Sequence, residues 1–110
     1  MAVDQQLVSE IKAQLEDDIL HFAWILQIAR ILKPDRTKSN WLNSVLDSVT
    51  ALHSSGDIVV GNAHTAHGMV LIEPWSEMGQ DLRTRMESEI ETSGDREFCF
   101  WIQHVKPFAK

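Results

Sequence analysis

Two histidines, His64 and His67, have the residue type and spacing of metal ligands. Imidazole nitrogens bind zinc, and two histidines three positions apart in an exposed loop can converge on one ion. A third ligand would have to come from His21, His53 or His104, because the loop itself contains no Cys, Asp or Glu. Structural zinc sites usually have four ligands at recognisable spacings. Metal or small-molecule binding at this loop is therefore a weak hypothesis, weaker than the protein-binding and DNA-binding functions considered below. We expect no cofactor.

Cys99, the one cysteine of the chain, would be a candidate nucleophile if His53 or His104 lay beside it. Its neighbours are Phe98 and Phe100, and an apolar segment of this kind is typical of a buried, unreactive thiol. The sequence also has no glycine-rich phosphate loop, nucleophile elbow or dinucleotide-binding fingerprint. We therefore predict that the protein is not an enzyme and has no catalytic residues.

The polar face of the third predicted helix suggests DNA binding. Asn40 and Asn43 could pair with adenine in a major groove, because an amide side chain matches the edge of that base. Arg36 and Lys38 could hold phosphates at the start of the same helix. The sequence therefore admits a winged-helix transcriptional regulator as the alternative function.

The distribution of charge opposes that alternative. The chain has a net charge of −6, and an acidic protein is repelled by a phosphate backbone unless a local patch reverses the field. Only the short segment from Arg30 to Lys38 is basic. Asp47 adds a negative charge to the candidate helix face, and residues 62–68, the predicted wing, contain neither Lys nor Arg. We therefore prefer a protein-interaction module that binds another protein, or itself as a homodimer, and we consider nucleic acid the less favoured partner.

Length and composition predict one domain, residues 1–110, with one hydrophobic core. The longest apolar-rich run, residues 19–32, is interrupted by polar side chains and is shorter than the roughly 20 residues of a membrane helix. The N-terminal residues lack the pattern of a signal peptide, and a single cysteine suits a reducing compartment. We therefore expect a cytoplasmic protein that does not bind membranes.

The N-terminal third of the chain predicts two helices. The first runs from Val3 to Leu15 with apolar residues at every fourth position. The second runs from about Ile19 to Lys33 after an N-cap at Asp17 or Asp18, and it is apolar on most of its circumference. One unbroken helix over residues 3–32 is the alternative, and the acidic pair at 17–18 favours the break. Such a helix lies at the centre of a domain or in an oligomer interface. We therefore predict self-association through this helix.

The central part of the chain predicts a third helix and a β-hairpin. Thr37 is the expected N-cap of the helix, which ends near Ser54 with Gly56 just beyond it. Its inward stripe is Leu42, Val45, Leu46, Val49 and Leu52, and Ser48 is expected on the outer face. The hairpin strands are residues 57–61 and 69–72, joined by a polar loop.

The C-terminal part predicts a fourth helix and a last strand. Ser76 is the expected N-cap of a helix that continues to about Thr92, with Met78, Leu82, Met86 and Ile90 as its apolar stripe. The strand, residues 98–102, has apolar residues on both of its faces, which predicts a position inside a sheet or between two layers. Leu46 and Trp101 are expected core residues.

Three short motifs add a resemblance to a known group of proteins. They are Gly56-Asp57-Ile58-Val59-Val60-Gly61, then Glu73-Pro74-Trp75, then Gly94-Asp95 shortly before Phe100-Trp101. This pattern resembles that of a family of small bacterial, largely actinobacterial, proteins. The resemblance covers about residues 17–102 and implies a winged-helix-like α+β fold with no known catalytic residue. The fold predicted overall has three N-terminal helices, a β-hairpin, a fourth helix and a final strand in a small antiparallel sheet.

Overall fold

The computed structural model describes residues 4–16, 19–93 and 100–105. In this part of the chain four helices pack with one antiparallel sheet, which confirms the predicted α+β class. The elements in chain order are α1 (Gln5–Leu15), β1 (Leu20–His21), α2 (Phe22–Leu32), α3 (Lys38–Ser54), β2 (Ile58–Ala66), β3 (Met69–Pro74), α4 (Gly79–Ser93) and β4 (Trp101–His104). None of the helices described is both long and apolar enough to cross a membrane.

The sheet has the strand order β1-β4-β2-β3. The last strand is therefore interior: Ile102 lies opposite Leu20 on one side and opposite Val60 on the other. The strand was predicted to lie inside a sheet or between two layers because both of its faces carry apolar residues, and its position confirms this prediction. At the other end of the sheet, β3 pairs with β2 alone among the described strands and therefore forms an edge.

The hydrophobic core lies where the helices meet the sheet. Its fully covered side chains include Phe22 and Ile25 of α2, together with Phe100 and Ile102 at β4. The stripes predicted for three helices contribute Leu7, Ile11 and Leu15 of α1, Val45, Leu46, Val49 and Leu52 of α3, and Leu82, Met86 and Ile90 of α4. Helical periodicity was therefore a reliable guide to the inward faces.

Helix α2 begins later than predicted. Its N-cap is His21, whose Nδ1 accepts a hydrogen bond from the backbone N–H of Trp24, and not Asp17 or Asp18, which lie outside the described residues. The reason is tertiary: Leu20 and His21 pair with β4 and are therefore extended, so the helix starts only after them. The start of α1 was also predicted too early, since Asp4 is its N-cap, and Val3 lies outside the described residues.

Helix α4 also begins later than predicted, at Gly79 instead of after Ser76. Met78 precedes the helix and is exposed, so it does not belong to the apolar stripe. The backbone N–H of Trp75 donates to the carbonyl oxygen of Val60 at 2.8 Å, which continues the attachment to β2 beyond the end of β3. This attachment keeps the chain near the sheet and delays the helix.

Two core assignments were wrong. Ser48, predicted on the outer face of α3, is fully buried. Trp101, predicted in the core, is only partly covered, because Phe100 and Ile102 on either side of it point to the helices. Alternation along a strand sends Trp101 to the opposite face, where its ring lies 5.2 Å from that of His21. Phe98 and Cys99 of the predicted strand lie outside the described residues.

Candidate functional site

The polar face of α3 is partly covered by α4. The Arg83 guanidinium donates to the carboxylate of Asp47 and, at 2.9 Å, to the amide oxygen of Asn43. Arg83 also approaches Glu87 one turn later, with 3.5 Å between Nε and a carboxylate oxygen. Asn43, a candidate DNA contact, therefore already binds a side chain of its own chain.

A shallow groove between α3 and α4 runs along the candidate DNA-binding face. It is lined by Ser39, Leu42 and Asn43 on one side, and by Glu87 and Glu91 on the other. Both glutamates are exposed. Two carboxylates beside the face that would approach a phosphate backbone make the local field negative.

The remaining DNA-binding candidates lie around the start of α3. Arg36 is exposed in the segment that joins α2 to α3, and Lys38 and Asn40 are exposed in the first turn of the helix. The side chain of Thr37 accepts a hydrogen bond from the backbone N–H of Asn40 at 3.2 Å, which confirms the predicted N-cap. This first turn is therefore accessible, and Asn43 in the next turn is also exposed although it accepts from Arg83.

The two histidines of the metal hypothesis do not lie in a long loop. His64 is part of β2, opposite Leu71, whereas His67 occupies the turn. Strand β2 was predicted to end at Gly61 but extends to Ala66, because a two-residue turn lets the strands pair to the tip. In the described ranges no three residues among His, Cys, Asp and Glu are grouped so that they could hold a metal ion.

The hairpin turn sets the hydrogen-bonding register of β3. His67 and Gly68 have φ angles of +54° and +76°, the signature of a type I′ turn, whose twist matches that of the flanking strands. In such a hairpin the residues next to the turn, Ala66 and Met69, exchange both backbone hydrogen bonds, and the pairs then alternate. The backbone N–H and C=O of Leu71 therefore face β2.

It follows that Val70 and Ile72 direct their backbone N–H and C=O groups away from β2, towards the edge of the sheet. The same stretch exposes apolar side chains: Met69 is 60% exposed, Val70 50% and Leu71 40%. We call Met69–Ile72 the β3 edge. It combines backbone groups without a neighbouring strand in the described structure with an apolar surface.

The base of the hairpin is firmly attached to the domain. Trp75 is buried, its indole N–H donates to the side-chain oxygen of Asn62 at 2.8 Å, and the Arg85 guanidinium lies 4.3 Å from the centre of its ring. Arg85 in turn pairs with Glu77 at 3.1 Å. Gly61 brings β3 even closer, since a Cβ atom at this position would lie 2.0 Å from a backbone oxygen of β3. The β3 edge is therefore presented on an anchored hairpin.

Helix α2 also leaves part of its surface uncovered. Ile31 is 63% exposed and Trp24 is 42% exposed. Between them lie Gln27 and Arg30, and the Arg30 guanidinium stacks 5.4 Å above the ring of Trp41. The α2 surface, which we define by these four α2 residues, is thus an apolar and polar mixture, and it is less continuous than the β3 edge.

The fold and these surfaces define a small α+β protein with a hairpin edge and a helix face open to contacts. No protein-family model, curated protein or solved structure significantly matches the chain. Sequence reasoning located the strand at residues 69–72 but missed its role as a surface. The signal was present, because four consecutive apolar residues cannot all point to one core from a strand.

Proposed function

We propose that this protein is a small, cytoplasmic, non-enzymatic interaction module that binds another protein, or a second copy of itself, through apolar helix and sheet surface. The observation that supports this proposal best is the β3 edge, in which exposed apolar side chains coincide with outward backbone hydrogen-bonding groups. A strand edge of this kind is a template for pairing with another chain.

The described residues offer little protection to this edge, and this strengthens the argument. Natural proteins shield edge strands with charged side chains, prolines, bulges or covering elements. The β3 edge contains no Lys, Arg, Asp or Glu, and the nearest such features are Glu73 and Pro74 at its far end. A binding partner is the physical explanation for leaving such a strand open. The α2 surface, with Trp24 and Ile31, is a second place where a partner could gain apolar contacts.

A winged-helix DNA-binding regulator is the alternative. The order of helix, short strand, two helices and hairpin is consistent with a winged-helix-like arrangement, in which α3 and the β2–β3 hairpin take the places of recognition helix and wing. Arg36, Lys38 and Asn40 remain accessible for this role. Three observations stand against it: the contact between Asn43 and Arg83, the glutamates in the adjoining groove, and a hairpin that contains neither Lys nor Arg. Metal binding at His64 and His67 gains no support.

Site-specific photocrosslinking in living cells tests the proposed function. A benzophenone amino acid is introduced separately at Leu71 on the β3 edge and at Ile31 on the α2 surface. Ser9, which is exposed on α1 outside both surfaces, is the matched control position. We expect irradiation to produce a discrete protein adduct from one of the apolar positions and not from Ser9. Equal labelling at all three positions, or no adduct at any, would contradict an interaction module.

A further inference from the structure

The outward backbone groups of β3 restrict what can pair with it. Val70 and Ile72 supply two N–H donors and two C=O acceptors on the open side of the strand. Pro74, the next residue with outward backbone groups, has no N–H. At the other end the chain turns away at Gly68, whose φ is +76°. The pairing surface is therefore a short segment centred on Leu71.

We infer that two copies of this chain form a symmetric dimer in which their β3 strands pair antiparallel about a two-fold axis at Leu71. Val70 of each copy then lies opposite Ile72 of the other. All four outward N–H groups and all four outward C=O groups of these residues are paired, and the two sheets become one continuous sheet. This inference rests on the proposed interaction function and specifies its partner as a second copy.

Other registers satisfy fewer of these groups. With the axis at Val70, Ile72 would face Gly68, where the chain is already in the turn. With the axis at Ile72, Val70 would face Pro74, and its C=O would have no donor because proline lacks the N–H. A shift by a single residue would place the outward backbone N–H and C=O groups of one strand opposite residues whose own groups point inward, towards β2. The pairing centred on Leu71 therefore fits the edge best.

The charge distribution also fits a second copy. Two chains that each carry a net charge of −6 repel one another, so their contact must lie where charge is absent. Residues 62–72 contain no Asp, Glu, Lys or Arg. In the inferred register Glu73 lies opposite Met69 of the partner. The two Glu73 residues are then four positions apart along the strands, about 14 Å at the usual rise. That separation exceeds the Debye length of ~8 Å at physiological salt.

Disulfide trapping tests the register in the purified full chain. In a Cys99→Ser background, Leu71→Cys places the two cysteines in a non-hydrogen-bonded antiparallel pair, with Cα atoms about 4.5 Å apart. Val70→Cys is the matched control, because its two copies would lie two positions apart along the strands, beyond the ~7 Å limit for a disulfide. We expect mild oxidation to give a covalent dimer with Leu71→Cys and at least tenfold more slowly with Val70→Cys. Equal or inverted rates would overturn the inferred register.

Sedimentation velocity from micromolar to submillimolar concentration tests the dimer itself. We expect a concentration-dependent dimer for the wild type and at least a tenfold higher dissociation constant for Leu71→Lys, because like charges directly opposite each other destabilise a strand pair. Val70→Pro should have the same effect, since it removes only an outward N–H and leaves the β2–β3 pairing intact. Thr65→Lys, exposed on the neighbouring strand, is the control that should leave the dimer unchanged.

These outcomes separate the inference from the function on which it rests. A wild type that stays monomeric at submillimolar concentration, or a dimer that neither Leu71→Lys nor Val70→Pro weakens, would overturn the inferred β3 pairing. Photocrosslinking to a different protein, or self-association through the α2 surface, would still support an interaction module. If neither Leu71 nor Ile31 gives a crosslink in cells, the proposed interaction function is contradicted as well.

Discussion

Arg83 on α4 and Asp47 on α3 form an ion pair across the interface of two helices, although 36 positions separate them in the chain. Only 17% and 15% of their side chains are exposed. Asn43 binds the same guanidinium one turn earlier on α3. The pair fixes α4 over much of the polar face of α3, so that a helix face typical of solvent or nucleic-acid contact is partly internal.

A double-mutant cycle on this pair is the first prediction. Arg83→Gln and Asp47→Asn should each lower the free energy of unfolding by about 1–3 kcal/mol, because each leaves a partly buried charge without its partner. The double variant should lose less than the sum of the two, with a coupling energy of at least about 0.5 kcal/mol. Urea denaturation provides the measurement. Asp81→Asn, at an exposed position in the first turn of α4, is the control and should lower the free energy of unfolding by no more than about 1 kcal/mol, the usual contribution of a carboxylate near a helix N-terminus. Strict additivity would show that the pair contributes nothing.

The second prediction concerns the close approach of β2 and β3 at Gly61. Gly61→Ala should lower the free energy of unfolding by more than about 3 kcal/mol, above the usual range for overpacking, because the added methyl group meets backbone that cannot rotate away. Gly56→Ala is the matched comparison. A methyl group there would have no described atom within 4 Å, whereas the φ of +81° would cost a residue with a side chain about 1–2 kcal/mol. A Gly61→Ala variant as stable as Gly56→Ala would mean that the strands can separate at this point.

The third prediction corrects the core. Leu46→Ala and Phe100→Ala should lower the free energy of unfolding by about 2–5 kcal/mol, because each leaves a cavity between helices and sheet. The sequence alone places Trp101 in the core and predicts an equal decrease for Trp101→Ala. Because the Trp101 side chain is partly exposed, this variant should lower the free energy of unfolding less than Phe100→Ala does. Thermal or urea unfolding of the three variants gives the ranking. A larger loss for Trp101→Ala would place that side chain back in the core.

The fourth prediction is a stabilising substitution at Ser48. Its hydroxyl is buried and has no hydrogen-bond partner among the described residues. Burying such a group costs about 1–3 kcal/mol, and alanine also has the higher helix propensity. Ser48→Ala should therefore raise the midpoint of urea unfolding. Ser44→Ala, on the same helix but only half-buried, should change it less. A lower midpoint for Ser48→Ala would reveal a partner for the hydroxyl.

The fifth prediction distinguishes the two functional hypotheses. The protein should show little or no binding to mixed-sequence or genomic duplex DNA at about 0.15 M salt, where the Debye length is ~8 Å. The acidic charge balance and a hairpin without Lys or Arg remove the electrostatic contribution on which non-specific affinity depends. Fluorescence anisotropy from low to physiological salt provides the test. Submicromolar binding that persists at this salt and is abolished by Arg36→Glu with Lys38→Glu would instead support a regulator.

Local features of the chain were predictable from the sequence. The stripes of α1 and α3 and the N-cap at Thr37 depend on residues within one or two turns, so periodicity and capping chemistry determine them. The same holds for Gly56, which ends α3 with a φ of +81° because glycine tolerates that conformation. The interior position of the last strand followed from its apolar residues on both faces.

Other features depend on partners distant in sequence. Leu20 and His21 have no strong strand signal, yet they are extended because β4 pairs with them, and this pairing moves the start of α2. The ion pair of Arg83 and Asp47 exists only once the apolar stripes of α3 and α4 have packed together. In the same way, the residues at 69–72 form an open edge only because β4 takes the place beside β2. Sequence therefore determined the elements and their inward faces, whereas tertiary packing decided which remaining faces are covered, because burial of apolar area is collective and not local.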